Sequence, residues 1–141
     1  GENIPPEDLE LEITEGLLMS CQLNIADVLA KITNFGIKLS MDDFGTGYSS
    51  LSYLRKYPFN VLKIDRSFIS GITQNEEDLN VVKATIAMSH SLGLTVIAEG
   101  VETPCQLTLL NELGCDIVQG YYLSKPISEN KIIEQYYSVS L

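Results

Sequence analysis

Residues 39–48 read Leu39-Ser-Met-Asp-Asp-Phe-Gly-Thr-Gly-Tyr48, and the rest of the chain is best understood outward from this stretch. An apolar run ends in two adjacent carboxylates, Asp42 and Asp43, and Gly45 and Gly47 follow within four residues. This order predicts a strand that leads into a loop able to approach a ligand closely. Adjacent carboxylates repel each other, so we expect a shared proton or a cation between them. The alternative is an ordinary strand end whose aspartate caps the next helix.

Strands and helices alternate on both sides of this stretch. Short apolar segments predict five strands, at residues 9–15, 37–41, 61–64, 95–98 and 117–118. Segments with helical spacing predict helices at residues 25–35, 50–57, 75–92, 104–113 and 129–137. This alternation implies an α/β fold with a parallel sheet and right-handed crossovers.

The first predicted strand differs from the others in polarity. Strands of a parallel sheet are normally apolar on both faces, but Glu10 and Glu12 alternate here with Leu9 and Leu11. One face of this strand is therefore polar, or its carboxylates are paired with other groups.

Composition and charge restrict the function classes. A length of 141 residues with 45% apolar residues favours one domain with a real core. The formal net charge of −10 argues against binding of a DNA or RNA polymer, but a small phosphate ligand fits if metal ions supply positive charge. The three cysteines lack the spacing of a disulfide framework or a zinc site, which favours a cytoplasmic setting. No apolar run reaches the roughly 20 residues of a membrane-spanning helix, although an anchor elsewhere in a longer parent protein remains open.

A polar or charged residue closes each predicted strand. These residues are Glu15, the pair Asp42 and Asp43, Asp65, Glu99 and Gln119. Strand ends of βα units meet at one edge of the sheet, where ligands bind. Each residue alone is better explained as a helix cap or a solvated loop residue, but carboxylates buried together require cations. Lys63, which shares a strand face with Asp65, supplies one, and oxygen ligands without a His or Cys cluster favour Mg²⁺ or Mn²⁺.

Five segments in order resemble a known family. They read Leu-Glu-Ile-Thr-Glu at 11–15, Asp-Asp-Phe-Gly-Thr-Gly-Tyr-Ser-Ser-Leu at 42–51, Leu-Lys-Ile-Asp-Arg-Ser-Phe at 62–68, Ala-Glu-Gly-Val-Glu-Thr at 98–103 and Gln-Gly-Tyr at 119–121, with Lys-Pro at 125–126. This pattern resembles the EAL-domain phosphodiesterases of bacterial signalling. The resemblance implies a TIM-type barrel and an enzyme that hydrolyses the second messenger cyclic di-GMP to linear pGpG, by in-line phosphoryl displacement with two Mg²⁺ or Mn²⁺ ions.

The resemblance also implies roles for individual residues. Glu15, Asp42 and Asp43 would be metal ligands, with Asp43 serving the second, catalytic metal. Lys63 would orient the attacking water, and Glu99 would be a ligand or general base. Gln119 and Asp65 would contact the substrate, and supporting roles fall to Glu102, Phe44, Gly45, Thr46 and Gly47.

The sequence departs from the family at its beginning. The family's barrel starts with three further strands, which carry a Glu-Ala-Leu signature and an Asn ligand, and neither occurs here. Because a closed barrel needs about 250 residues, residues 1–141 are interpreted as the C-terminal part of one EAL domain. We expect a partial barrel that is weak or inactive alone and completes itself as a homodimer or higher oligomer. The alternatives are a degenerate module that senses cyclic di-GMP without cleaving it, and a non-catalytic interaction scaffold.

Overall fold

The structure is a computed structural model that describes residues 3–20, 24–44 and 50–137. Within these ranges the chain forms one parallel sheet with the strand order β1-β2-β3-β4-β5. The strands are Glu10–Thr14 (β1), Lys38–Phe44 (β2), Val61–Ile64 (β3), Thr95–Glu99 (β4) and Ile117–Gln119 (β5). The predicted α/β fold with a five-stranded parallel sheet is confirmed, and β1 and β5 are the edges of the sheet as described.

Helices connect the strands, and all five predicted helices are present. The helices are Glu15–Ser20 (α1), Ile25–Asn34 (α2), Ser50–Lys56 (α3), Arg66–Ile69 (α4), Glu76–Ser91 (α5), Pro104–Glu112 (α6) and Glu129–Ile132 (α7), with a 3₁₀ turn at Pro6–Asp8 and a π-helical turn at Ile133–Tyr137. The two short helices α1 and α4 were not predicted. None of the helices in the described ranges combines the length and the apolar content that crossing a membrane requires.

Local sequence explains where the longest helix begins and ends. The Asn75 side chain accepts a hydrogen bond from the Glu77 N–H at 2.9 Å and caps α5. Three acidic residues occupy the first turn, where the helix dipole favours negative charge. Gly93, with a φ of +74°, adopts the left-handed conformation that stops the helix before β4.

The two faces of the sheet differ in chemistry. One face is apolar and packs into the core, with at most 3% of each side chain exposed; it comprises Ile13, Leu39, Met41, Leu62, Ile64, Val96 and Ala98. The strand register aligns polar residues on the opposite face, where Glu12 pairs with Ser40, and Glu99 with Gln119. Lys63 lies on the same polar face because it is two residues beyond Val61, which pairs with Ser40. The sheet therefore separates a hydrophobic core from a polar surface that carries ionisable groups.

Strand β2 is longer than predicted and contains a β-bulge. The prediction that it ends at residue 41 is wrong, because pairing with β3 continues to Phe44. Met41 pairs with Leu62 and Phe44 with Ile64, so β2 carries one extra residue. Asp43, in the bulge, has a φ of +57°, a left-handed conformation that Asp tolerates better than most residues.

The amino end of β5 is held by a side chain rather than by backbone alone. Asp116 Oδ2 accepts a hydrogen bond from the Val96 N–H at 2.8 Å and lies 2.8 Å from His90 Nε2 on α5. This carboxylate therefore links β4, β5 and α5 at the amino ends of the strands.

Candidate active site

Lys63 is the centre of a charged cluster on the polar face. Its side chain is only 6% exposed, and its Nζ forms an ion pair with Glu12 Oε1 and a second, at 3.0 Å, with Glu99 Oε1. Burial alone would lower the pKa of Lys63, but the hydrogen bonds to Glu12 and Glu99 outweigh it and raise the pKa to about 12. The ammonium group is therefore charged at neutral pH and joins β1, β3 and β4.

Glu99 meets a second carboxylate as well as this ammonium group. Burial raises the pKa of Glu99, the Lys63 ammonium works against that rise, and the negative charge of Asp42 and a hydrogen bond with it raise the pKa further. A carboxylate whose pKa is raised accepts a proton more strongly when it is ionised, which suits a general base.

The β2 bulge brings Asp43 to the same cluster. Burial, then the negative charges of Asp42 and Asp65, raise the pKa of Asp43, and its carboxyl group shares a hydrogen bond with Asp65. Regular strand alternation would point Asp42 and Asp43 to opposite faces. Because the bulge interrupts that alternation, both neighbouring carboxylates act on the same site.

Asp65 has a structural role beside its place in the cluster. Its Oδ1 accepts a hydrogen bond from the Ser67 N–H at 2.9 Å and caps α4. The Ser67 hydrogen bonds lower the pKa of Asp65. The helix-cap explanation considered for residues at strand ends is thus correct for Asp65, which also contacts Asp43.

The donor chemistry of the cluster fits a hard divalent cation. Carboxylate oxygens are the ligands that Mg²⁺ and Mn²⁺ prefer. In the part of the chain that the structure describes, however, no three Asp, Glu, His or Cys side chains form a group that could hold a metal ion. Lys63 is the cation that neutralises Glu12 and Glu99 in this arrangement.

A pocket of about 270 Å³ opens beside Glu99. Gln119, the last residue of β5, and Tyr121 line it. Arg66 and Glu102 also line it and form an ion pair at 2.8 Å, with both side chains substantially exposed. The pocket therefore joins Glu99, an ion-pair partner of Lys63, to groups that can hydrogen-bond a polar ligand.

Two loops form the wall of this pocket and are bonded to each other. The Val101 N–H donates to the Gln119 carbonyl at 3.1 Å, and the Tyr122 N–H donates to the Val101 carbonyl at 3.0 Å. A Cβ atom at Gly120 would lie 2.1 Å from the Val101 carbonyl oxygen, so only glycine fits there.

The structure brings together most of the residues predicted from the sequence. Asp42, Asp43, Asp65 and Glu99 interact with one another or with Lys63, and Gln119 and Glu102 line the adjoining pocket. Phe44 packs partly buried against the core. Gly45, Thr46 and Gly47 lie outside the described residues.

Glu12 is the site residue that sequence reasoning missed. The sequence predicted a polar strand face or paired carboxylates, without naming Glu12 as a site residue, and the structure pairs it with Lys63 from β1. Glu15 is 3% exposed and lies one residue beyond β1, as the first residue of α1. Its role as a metal ligand stays a prediction. The signal for Glu12 was present in the alternation, because a charged residue within a parallel strand needs a partner.

Comparisons with known proteins agree on one family. The family model for the EAL domain matches residues 1–126. The cyclic di-GMP phosphodiesterase NbdA of Pseudomonas aeruginosa is 50% identical over 119 residues, which are 84% of this chain and 15% of NbdA. The structure of the MucR phosphodiesterase in complex with cyclic di-GMP superposes with a TM-score of 0.85 at 40% identity, over 92% of this chain and 52% of that one. BlrP1 of Klebsiella pneumoniae, in complex with manganese and cyclic di-GMP, gives 0.78 at 32% identity, over 84% of this chain and 30% of that one.

Proposed function

The chain belongs to the EAL domain family, and we propose that it is part of a phosphodiesterase that hydrolyses cyclic di-GMP to linear pGpG. One observation supports this most strongly: a buried ammonium group, Lys63, lies between Glu12 and Glu99, and Glu99 also lines the adjoining pocket. Such a group can stabilise negative charge that develops on a phosphoryl group. The similar proteins named for this activity supply the substrate class.

The residues of the site divide between metal binding and proton transfer. We propose that Asp42, Asp43 and Glu12 hold the divalent ions, Mg²⁺ or Mn²⁺, and Glu15 is kept as the ligand predicted from the resemblance. When bound, these ions would supply the positive charge that activates water and stabilises the transferring phosphoryl group. Lys63 donates hydrogen bonds that orient the attacking water. Glu99, whose raised pKa brings it nearer to neutrality, takes up the proton of that water.

The substrate is proposed to span the cluster and the pocket. One end of the cyclic dinucleotide would enter between Gln119 and Glu102, and its phosphodiester would lie beside Glu99. Gln119 would hydrogen-bond the bound substrate. Asp65, whose side chain caps α4, would act on the substrate indirectly, through its hydrogen bond with Asp43.

The described sheet does not close into a barrel, and this is one reason to expect low activity of the 141-residue chain. We propose that residues 1–141 form the C-terminal part of an EAL domain and have weak or no activity alone. The chain spans 52% of the MucR structure. Both ions must be correctly placed for an in-line displacement, and the described residues alone do not form a group that could hold one.

Conversion of cyclic di-GMP to pGpG by the full-length protein tests the function. The protein is incubated with Mn²⁺ and cyclic di-GMP, and the products are separated by chromatography. We expect pGpG from the wild type and a loss of at least about 100-fold in Lys63→Ala, since the ammonium group acts on developing charge. Lys83→Ala, at an exposed position on α5, is the matched control and retains the activity. Equal turnover by Lys63→Ala would contradict the mechanism, and full turnover by the 141-residue chain alone would contradict its proposed inactivity.

A sensor that binds without cleaving is the second candidate function. The arrangement of the described residues favours this candidate. Lys63 is held there in two ion pairs, and no group of side chains among these residues could hold a metal ion. Tight binding of cyclic di-GMP without pGpG formation would support the sensor. If the protein neither binds nor cleaves cyclic di-GMP, the remaining candidate is a non-catalytic interaction scaffold.

We also propose that the 141-residue chain self-associates. In the described sheet, the edge strands β1 and β5 present backbone groups that can pair with another chain. Ile117 on β5 is 48% exposed, whereas Glu10 on β1 places a charge that discourages pairing. Light scattering at several concentrations should show a dimer or larger species, and Ile117→Lys should reduce it. A monomer at every concentration would contradict this proposal.

We propose that the reaction takes place in the cytoplasm, because the spacing of the three cysteines in the sequence lacks a disulfide framework.

A further inference from the structure

Ser40 carries a buried hydroxyl group whose presence the fold does not explain. Its side chain is 0% exposed in the middle of β2, and its Oγ has no hydrogen-bond partner among the described residues. A buried hydroxyl without a partner costs stability, and alanine would fill nearly the same space without that cost. A second serine, Ser89 on α5, is equally buried, but its hydroxyl donates to the Thr85 carbonyl at 2.7 Å.

Ser40 lies on the polar face of the sheet, between the strands that carry the charged cluster. It pairs in register with Glu12 on β1 and with Val61 on β3. The ion pair between Glu12 and Lys63 joins β1 to β3, so it crosses β2 on the face that Ser40 occupies. Neighbouring strands are about 4.8 Å apart, so β1 and β3 are separated by roughly 10 Å, a distance that the side chains of Glu12 and Lys63 span together. The Ser40 side chain therefore lies on the strand and on the face that this ion pair crosses.

We propose that Ser40 is a positioning residue of the site, whose hydroxyl holds the Lys63 ammonium group when Glu12 turns to another partner. The inference rests on the proposed function. An ammonium group has three hydrogen-bond donors, and two of those of Lys63 are directed at Glu12 and Glu99. When Glu12 binds a divalent ion or contacts the substrate, one donor loses its partner. The Ser40 hydroxyl is a neutral acceptor on the same face, and its small size leaves room for the lysine chain to cross β2.

The test compares two buried serines in the full-length protein. We expect Ser40→Ala to lower kcat for cyclic di-GMP by about tenfold, in line with the loss of a group that orients a site residue, with little change in KM. Its melting temperature should stay equal to that of the wild type or rise, because an unpartnered hydroxyl is removed. Ser89→Ala should do the reverse, with a lower melting temperature and unchanged kcat. Ser40→Thr keeps the hydroxyl and should retain kcat more fully than Ser40→Ala.

Two results would overturn the inference. One is a Ser40→Ala variant with the kcat of the wild type. The other is a Ser40→Ala variant that loses melting temperature and kcat together and that Ser40→Thr does not rescue, which would show a merely structural role. If the wild type forms no pGpG, the proposed function fails on its own. The inference is then decided by calorimetric titration with Mn²⁺, in which Ser40→Ala should bind more weakly and equal affinity would refute it.

Discussion

Asp43 and Asp65 share a hydrogen bond between their carboxyl groups, across the junction of β2 with the turn after β3. Two carboxylates can share such a bond only if one of them carries a proton. Burial and the charges of Asp42 and Asp65 raise the pKa of Asp43, whereas the Ser67 hydrogen bonds lower that of Asp65. Asp43, the residue of the bulge, therefore takes up a proton at a higher pH than Asp65 does.

The raised pKa of Asp43 predicts that Asp43→Asn is at least as stable as the wild type at pH 7. An acid with a raised folded-state pKa contributes stability below its unfolded-state pKa of 3.8, and that contribution is lost as the pH rises through the folded-state value. Asparagine imitates the protonated form and also tolerates a φ of +57°. Denaturant unfolding between pH 3 and pH 8 should show the difference between Asn and Asp shrinking toward acidic pH.

Asp43→Ala serves as the control for backbone conformation. It removes the charge as Asp43→Asn does, but alanine is strained at a positive φ by about 1 kcal/mol. Equal stability of the two variants would contradict the role of the bulge geometry. A wild type more stable than Asp43→Asn at pH 7 would contradict the raised pKa of Asp43.

Removing both carboxylates of β2 should abolish metal binding. Asp42→Ala with Asp43→Ala deletes two proposed oxygen ligands, and ligand number and charge set the affinity for a hard divalent ion. Calorimetric titration of the chain with Mn²⁺ should show weak binding by the wild type and none by the double variant. Glu76→Ala with Glu77→Ala, on the exposed first turn of α5, makes the same change in net charge and should bind as the wild type does. Identical titrations of the wild type and the β2 variant would refute the site.

Replacing Glu12 should impair hydrolysis by the full-length protein more than replacing Glu10. Glu12→Gln removes the negative partner of Lys63 and a proposed metal ligand, and we expect a loss of about 100-fold in kcat/KM. Glu10→Gln alters the same strand face two residues earlier and should leave the activity unchanged. Stability should change little in Glu10→Gln, whereas Glu12→Gln should be less stable because the buried Lys63 ammonium group keeps only Glu99 as an ion-pair partner.

A further variant, Glu15→Gln, distinguishes the role of Glu15 from that of Glu12. If Glu15 is a metal ligand, its variant weakens Mn²⁺ binding as Glu12→Gln does. Unchanged activity of Glu12→Gln together with complete loss in Glu15→Gln would show that the carboxylate beyond the strand, and not the partner of Lys63, serves the reaction.

Asp116→Ala should destabilise the chain by about 1–2 kcal/mol, because the Val96 N–H loses its acceptor. Burial alone would raise the pKa of Asp116, but the hydrogen bonds from Val96 and His90 outweigh it and lower the pKa. The stability it contributes is therefore present above pH 3.8 and is lost as the pH falls through its lower folded-state pKa. Asp116→Asn keeps an acceptor for Val96 and should lose less at neutral pH. A pH dependence in the alanine variant equal to that of the wild type would exclude this origin.

The regular elements were predictable because their signals are local. The alternation of apolar segments, and caps such as Asn75 at α5, lie within a few residues of the element that they define. The end of β2 was not predictable in this way. The strand continues to Phe44 through a bulge that exists only in its pairing with β3, and no local pattern records that register.

The residues of the candidate site were likewise predictable from the sequence only in part. Acidic residues at strand ends could be gathered from the sequence because the topology brings those ends together. The Glu12 partnership with Lys63 joins residues 51 positions apart across an intervening strand, so only the strand order reveals it. Asp65 shows the opposite case, because it accepts a hydrogen bond from the Ser67 N–H, a local capping interaction between residues two positions apart that the sequence alone suggests.

The close packing of Gly120 against Val101 has a mechanical consequence. With the two backbone hydrogen bonds of Val101, it leaves no clearance between the loop after β4 and the loop after β5. We therefore expect the two loops, which carry Glu99 and Tyr121 into the same pocket, to move together. A molecule that displaces Tyr121 should then also shift Glu99, the carboxylate beside Lys63.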